Sequence, residues 1–584
     1  MYGRILLPLL AVASIACGCT GSSSEDTLPL RPNILWLSAE DMGPRLGSYG
    51  DELARTPHID ALAAEGTRYT RVFTTAGACS PSRAALITGM HQVSIGAQHM
   101  RTLSGAPFAP EPTPYSAVPP HYVKTFTEYL RAAGYYTSNN GKEDYQFETP
   151  FTAWDESSPN AHWRNRTDPD QPFLAVFNFL TTHESRIWPD PKEAFRTLGL
   201  PEELAHAAPE PLATDPSLVP VPPYYPDTPV VRRDIAQTYD NVARMDSQVG
   251  HIIRQLKDDG LYDNTVIFFW SDHGDGLPRQ KRWVYDSGLH VPLIIRFPAQ
   301  TPDVDDRLVS FLDLAPTVLS IAGIEPPAHL QGHALLGTLA ESKSVRQYVY
   351  AARDRFDEQY DMVRAVRDKR WKYIRNYRPE KPYVLWMAYA NVMPTMQEIF
   401  RLNTEDGLND VQSLWMRTQR PVHELYDTQA DPHEVNNLAY DPTYRQQLVR
   451  LQSELGDWMS RVGDKGFESE RDMVEAVWPN GKQPVTEAPG IFPRATAATA
   501  LRRDSAGIPI HVSGGTFDQS VEITMYSPTQ GASIGWRIQG ENAWRLYSEP
   551  LTLRHSTTIE AKAIRYGFAE STITEAIFTI APGE

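Results

Sequence analysis

Pro32-Asn33-Ile34-Leu35-Trp36-Leu37-Ser38 is a near-continuous apolar run that delivers two acids, Glu40-Asp41, at its C-terminal end. A run of this length without polar alternation predicts a strand buried on both faces, as in a parallel sheet covered by helices. Thr265-Val266-Ile267-Phe268-Phe269-Trp270-Ser271 repeats the pattern and delivers Asp272-His273-Gly274, and a third run at 173–180 ends at Thr181-Thr182-His183. Helical stretches at 58–66, 125–133 and 233–259 alternate with these runs, so the chain reads as an α/β sandwich with a mostly parallel central sheet. Ligands of open sheets gather beyond the carboxyl ends of the strands. Three polar clusters far apart in sequence can therefore converge on one crevice.

Ala78-Cys79-Ser80-Pro81-Ser82-Arg83-Ala84-Ala85-Leu86-Ile87-Thr88-Gly89 is the second informative stretch. Ser80 is placed to cap a helix, Pro81 to fill its first position, where a missing N–H loses nothing, and Gly89 to end it. Cys79 then stands just outside a helix N-terminus, whose free N–H groups and dipole favour an anion, with Arg83 about one turn on. A lone cysteine is ordinarily a small buried apolar residue; the C-x-P-x-R spacing sets this one apart.

The 584 residues, 41% hydrophobic and 22% charged, exceed what one core organises, so two or three domains are expected. The formal net charge of -17 argues against a nucleic-acid partner, and it means that an acidic substrate must be met by a local cluster of cations. Residues 1–19 read as a lipoprotein signal peptide: Arg4, an apolar core too short to span a membrane, then the lipobox Ser14-Ile15-Ala16-Cys17. Cys17 is the expected lipidated residue, with Cys19 second and a plain signal peptide as the alternative. Residues 20–30 form a flexible tether. With Cys79 the one cysteine left in the mature body, no disulfide framework is possible. The expected location is a bacterial cell envelope, periplasmic or at the outer-membrane surface, with membrane contact through the lipid anchor alone.

Cys79-Ser80-Pro81-Ser82-Arg83 matches C-x-P-S-R, and over residues 30–465 the chain resembles the type I sulfatases of the alkaline phosphatase superfamily. The resemblance implies an alkaline-phosphatase-like α/β sandwich and a sulfuric ester hydrolase whose Cys79 is oxidised by a formylglycine-generating enzyme to formylglycine (3-oxoalanine). A thiolate attacking sulfate would keep a stable sulfur adduct, whereas a hydrated aldehyde has one hydroxyl to attack and another to expel sulfate by re-forming the carbonyl. The resemblance assigns metal ligation to Glu40, Asp41, Asp272 and His273, with residue 79 also facing the ion. Glu40 stands where the family usually has Asp, and His273 where Asn is common. Such an oxygen-rich site suits Ca2+, and its histidine admits Mg2+ or Mn2+.

Spread negative charge on sulfate also needs fixed cations. The resemblance supplies Arg83, Lys142 in Asn140-Gly141-Lys142-Glu143-Asp144, and Lys281 in Arg279-Gln280-Lys281-Arg282-Trp283-Val284-Tyr285, and it gives His183 the roles of binding sulfate and protonating the leaving oxygen. Asp144 replaces the histidine of the family's G-K-x-H motif. Matching loops place His99, Arg101 and His290 at the sugar. Taken singly, Glu40-Asp41 is a solvated turn, His183 a structural histidine and the lysines surface residues; their joint occurrence is what the resemblance explains.

Thr182-His183-Glu184-Ser185-Arg186, Val221-Pro222-Pro223-Tyr224-Tyr225-Pro226-Asp227-Thr228 and Asp286-Ser287-Gly288-Leu289-His290-Val291-Pro292 resemble the heparan N-sulfatase (sulfamidase) branch and its bacterial polysaccharide-sulfatase relatives. The implied substrate is a sulfated polysaccharide or its oligosaccharides. Alternatives are an N-sulfoglucosamine sulfohydrolase on heparan-type glycans, a phosphonate or phosphodiester hydrolase, and an inactive glycan-binding surface lipoprotein. The expected organisation is a catalytic core at 31–340, an α+β subdomain at 341–480 with strands at 360–367 and 369–376 and a helix at 444–462, a linker at 481–507, and an Fn3-like β-sandwich at 508–584. The last module binds polysaccharide or acts as a packing spacer; its composition leaves both open.

Overall fold

The computed structural model describes residues 31–340, 346–494 and 514–581. The signal peptide, the tether and both Cys17 and Cys19 lie outside the described residues. Strands β1 (Asn33–Ala39), β2 (Thr67–Phe73), β3 (Tyr136–Asn140), β4 (Glu156–Ser158), β5 (Phe173–Phe179), β6 (Thr265–Ser271), β7 (His290–Arg296) and β8 (Asp303–Asp305) form one sheet in the order β4-β3-β5-β1-β6-β7-β2-β8, with β9 (Val309–Ser310) beside β2. From β4 to β6 every pairing is parallel; β7 then runs antiparallel to both of its neighbours. Of the three strands read as buried runs, β1 and β6 are buried at every residue and β5 at every residue but Asn178.

Helices cover both faces, and the pleat explains how. Along β1, Ile34 and Trp36 point one way and Leu35 and Leu37 the other, as a two-residue period requires. The first pair shares a core with side chains of α2 (Cys79–Thr88), α3 (Phe126–Ala132) and the later helix at Leu314–Ile321; the second packs with α1 (Pro57–Ala64) and α4 (Pro229–Asp258). The α4 helix begins earlier than the apolar period suggests because Thr228 caps it, its hydroxyl accepting the Val231 N–H, and Pro229 fills the first position. At α2 the cap differs from expectation. The helix includes Cys79, its N-cap is Ala78, and the Ser80 hydroxyl donates to Asp144 instead of capping. Gly89 ends the helix as expected, at a left-handed φ of 65°.

Strands β10 (Val349–Arg353), β11 (Val363–Arg367), β12 (Trp371–Asn376) and β13 (His423–Asp427) form an antiparallel sheet, packed through Leu451, Leu455 and Trp458 of the helix Arg445–Val462. Beyond it, Gly490–Pro493, expected in the linker, is a strand paired with Val521–Tyr526. It therefore joins a β-sandwich whose two sheets enclose Ile523, Ile559 and Phe578. This sandwich is keyed to α3. Tyr566 enters the main core and its hydroxyl accepts the Thr125 N–H at 3.0 Å, while Lys124 Nζ reaches Gly531 O at 2.6 Å. Among the described residues no helix is long and apolar enough to cross a membrane.

Candidate active site

Strands β1 and β6 are parallel neighbours with Ala39 opposite Ser271, so Glu40-Asp41 and Asp272-His273 emerge side by side. The Asp41 N–H donates to Asp272 Oδ1 at 3.1 Å, and Asp41 holds a left-handed φ of 48°. Few non-glycine residues adopt that conformation; it persists where surroundings enforce it. Asp41 Oδ2 accepts Lys281 Nζ at 2.6 Å and the Glu184 N–H at 2.7 Å. Gly276 closes over this oxygen: a Cβ there would stand 3.0 Å from it.

Asp41 Oδ1 lies 3.0 Å from His273 Nε2, and Cys79 Sγ lies 3.3 Å from the same nitrogen. Asp41, Cys79, Asp272 and His273 each offer a ligand atom within 4.8 Å of the others, and all four residues are buried. His273 Nδ1 sits 2.9 Å from Gly274 O, which can only accept, so the Nδ1 proton is committed there and the neutral ring turns its Nε2 lone pair to the cluster. Burial of the ring opposes its charge, but Asp272 and Asp41 outweigh this and hold His273 well above its ordinary value. The carboxylates call for a positive charge at that point.

Glu40 stands one step aside. Its Oε1 is taken by Lys142 Nζ at 2.5 Å and Arg83 Nη2 at 3.3 Å, while its buried Oε2 has no partner among the described residues. Burial pushes the Glu40 carboxyl up, Asp272 and Asp41 adding to the effect against Lys142 and Arg83. An unpartnered buried carboxylate oxygen, a converging histidine lone pair and two further carboxylates fit a hard divalent cation. Asp41, Asp272 and His273 would hold it, with Glu40 Oε2 beside them.

The expected cations surround this cluster. Arg83 donates through Nε to Asp272 Oδ2 at 3.0 Å and through Nη1 to Asn178 Oδ1 at 3.0 Å, tying the ends of β5 and β6 to α2. Burial opposes the charge on Lys142 and Lys281, yet their acidic neighbours and Cys79 keep both above the usual lysine value. His183, half-buried, presents the opposite tautomer from His273. The Ser185 N–H donates to its Nδ1 at 3.3 Å, so the neutral ring carries its proton on Nε2 and is a donor. Burial and then Lys281 bring His183 down to about 3.

Of the residues expected at the sugar, Arg101 lies over the Tyr389 ring, 4.8 Å from its centroid, and that ring is 6.2 Å from His183. His99 and His290 each have one ring nitrogen engaged by another neighbour. His99, itself buried, accepts the Arg355 N–H on Nδ1 at 3.3 Å and lies edge-on to the Tyr360 ring; His290 Nε2 is 2.9 Å from Thr70 O and its ring stacks on Phe73. Neither bonds to the residues around Cys79. Sequence reasoning missed Glu184, Arg282 and Asp357. The first two lie inside quoted motifs and were overshadowed by His183 and Lys281; Asp357 lies in no motif.

Residues 32–324 match the family described as Sulfatase, and residues 277–414 the family described as N-sulphoglucosamine sulphohydrolase, C-terminal. The chain is 44% identical to a Formosa agariphila protein described as an ulvan-active sulfatase, over 94% of this chain and 92% of that one. It is 29% identical to human N-sulphoglucosamine sulphohydrolase, over 74% of this chain and 90% of that protein. Among solved structures it resembles a 2-O GAG sulfatase with a TM-score of 0.53 and 22% identity, covering 74% of this chain and 93% of that one, a likeness of fold.

Proposed function

Because this chain belongs to the sulfatase family, we propose that it removes sulfate from a sulfated polysaccharide or its oligosaccharides, with formylglycine formed from Cys79 and a divalent cation, Ca2+ first, at the adjoining acids. One observation carries the reading: Cys79 meets Asp41, Asp272 and His273 within 4.8 Å while Arg83 pairs with Asp272, Lys281 with Asp41 and Lys142 with the neighbouring Glu40. When bound, the cation and the hydrated aldehyde supply an activated oxygen nucleophile at position 79.

The protein's own groups do the rest. Lys142 and Lys281 are placed to hold sulfate oxygens, while Arg83 fixes Asp272 and Glu40. His183 offers its Nε2 proton toward the departing sugar oxygen. Without substrate the ring is neutral; an anionic sulfate group arriving beside it favours the imidazolium, which can pass a proton on. Burial of the site keeps water from competing with these donors.

The test is sulfate release from a panel of sulfated polysaccharides by protein matured with a formylglycine-generating enzyme, alongside the mass of the peptide bearing residue 79. An unmodified thiol with full activity would overturn the mechanism. The 277–414 match favours a second reading, cleavage of an N-sulfate on a heparan-type glycan. Paired N-sulfated and O-sulfated glucosamines decide it by which one turns over. The lipobox ending at Cys17 supports an envelope-anchored enzyme; a Cys17→Ala variant is expected in the soluble fraction.

A further inference from the structure

Three segments distant in sequence meet at Asp357. Its Oδ1 accepts from Arg101 Nε, and its Oδ2 accepts from Arg282 Nε at 2.8 Å. Arg282 turns its other two nitrogens to Glu184, Nη1 to Oε2 and Nη2 to Oε1, both at 2.8 Å. Glu184 Oε1 in turn lies 3.0 Å from Lys281 Nζ, whose second partner is Asp41. This bridge runs unbroken from Arg101 to the acids beside Cys79. Asp357, Glu184 and Arg282 are all buried, and Arg101, Arg282 and Asp357 hold left-handed φ values of 60°, 72° and 50°. Strained backbone of this kind persists where its surroundings over-determine it, and it clusters at functional sites.

The two arginines differ in what they have left. Arg282 is engaged at Nε, Nη1 and Nη2; Arg101 is engaged at Nε alone, and its side chain is 22% exposed. The Arg101 guanidinium lies over Tyr389 at 4.8 Å and near Phe108 at 5.5 Å. Two rings and one carboxylate thus fix its plane while its Nη1 and Nη2 stay without an acceptor among the described residues. A guanidinium held by one edge offers a preorganised fork for a two-oxygen anion. Asp357, the one carboxylate hydrogen-bonded to Arg101 among the described residues, is shared with Arg282.

Resting on the sulfatase reading above, we propose that Arg101 binds a second anionic group of the saccharide, a carboxylate or a further sulfate near the one removed, and that Asp357 is the positioning residue that holds it. Through Arg282 and Glu184 the same carboxylate keeps Lys281 in register, so recognition of the second charge and placement of a sulfate-binding lysine share one support. An uncharged sugar would leave the partly buried Arg101 fork unpaired, which disfavours such substrates.

The experiment compares oligosaccharides carrying one sulfate, one sulfate plus a uronate, and two sulfates, reading kcat and KM for the wild type, Arg101→Gln, Arg101→Lys and Asp357→Asn. Arg101→Gln should lower the preference for doubly over singly anionic substrates at least tenfold, mainly through KM, with Arg101→Lys restoring part of it. Asp357→Asn should lower the same preference, and the double variant Arg101→Gln/Asp357→Asn should lose no more preference than Arg101→Gln alone. An unchanged preference with both rates falling together would show a merely structural role and overturn the proposal. Calorimetry of the same saccharides on the Cys79→Ala protein gives the preference without turnover. If wild type releases no sulfate while that binding preference still depends on Arg101, the hydrolase reading fails and the Arg101 proposal stands.

Discussion

Two buried carboxylate clusters in this protein are built to opposite rules. At Glu470 the carboxylate is saturated: Arg355 donates to both oxygens at 2.5 and 2.6 Å, and the Tyr115 and Tyr360 hydroxyls complete it. At the strand ends Glu40, Asp41 and Asp272 crowd together, one buried oxygen has no partner among the described residues, and His273 is driven toward its charged form. The first arrangement is complete without anything added and, through Arg355, which also donates to Met100 O, holds the helix Glu470–Val477 to the 99–101 loop. The second is complete only with a cation and a substrate anion. Saturation marks a staple, and its lack marks a site.

The largest effect should come from the atom that defines the second cluster. Cys79→Ala is expected to lower sulfate release at least about 10^4-fold, since removal of a nucleophile leaves only binding and orientation. Its melting temperature should stay within about 2 °C of wild type, because the thiol's contacts are few; a large loss of stability would make Cys79 a packing residue. Next, Asp272→Asn should cost on the order of 10^3 in activity. Added Ca2+ should raise the melting temperature of the wild type, by an amount set by ligand excess over Kd. The variant should lose that response, and thermal shift with and without chelator checks it.

The contrast reverses at the saturated cluster. Glu470→Gln breaks a buried pair and should destabilise by about 3–5 kcal/mol, read from denaturant unfolding, while the protein that remains folded still releases sulfate. Its pH signature is equally specific. Burial opposes the charge of Glu470, but the Arg355 hydrogen bonds outweigh it and bring the group down to about 2. A depressed carboxyl stabilises above its unfolded value of 4.5 and loses that contribution as pH falls toward 2, about 3 kcal/mol in all. The stability gap between wild type and Glu470→Gln should close across that window; a constant gap would mean that packing, not charge, holds the cluster.

The sequence made one cluster legible and not the other, for a physical reason. Glu40-Asp41 and Asp272-His273 each follow an unbroken apolar strand, and strand ends in a parallel sheet are brought together by register alone. Arg83 was placed by its spacing from Cys79 within one helix. Asp357, by contrast, reaches the site from the loop after β10 and meets Arg101 and Arg282 only through tertiary packing, which no local period records. For His99 and His290 the sequence placed the loops but not the ring contacts: His99 Nδ1 accepts the Arg355 N–H and His290 Nε2 lies beside Thr70 O. The α2 cap failed because the helix already begins at Cys79, so Ser80 lies inside its first turn and turns its hydroxyl to Asp144.

The smallest expected effect tests whether saturation also explains the C-terminal sandwich. Tyr566 is fully buried against the catalytic core and its hydroxyl takes the Thr125 N–H at 3.0 Å and lies 3.1 Å from Thr125 Oγ1. Tyr566→Phe keeps the ring and removes the acceptor, leaving a buried N–H unpaired, so a loss of about 1–3 kcal/mol is expected. If the sandwich is a packing partner, sulfate release from long polysaccharide and from a short oligosaccharide should both be retained in the same ratio as in wild type. If the sandwich instead guides the polymer to the cleft, loosening its seat should lower the rate on long chains selectively. The ratio of the two rates in Tyr566→Phe, measured well below the melting temperature, therefore separates a neutral staple, obeying the rule of Glu470, from a surface with a function of its own.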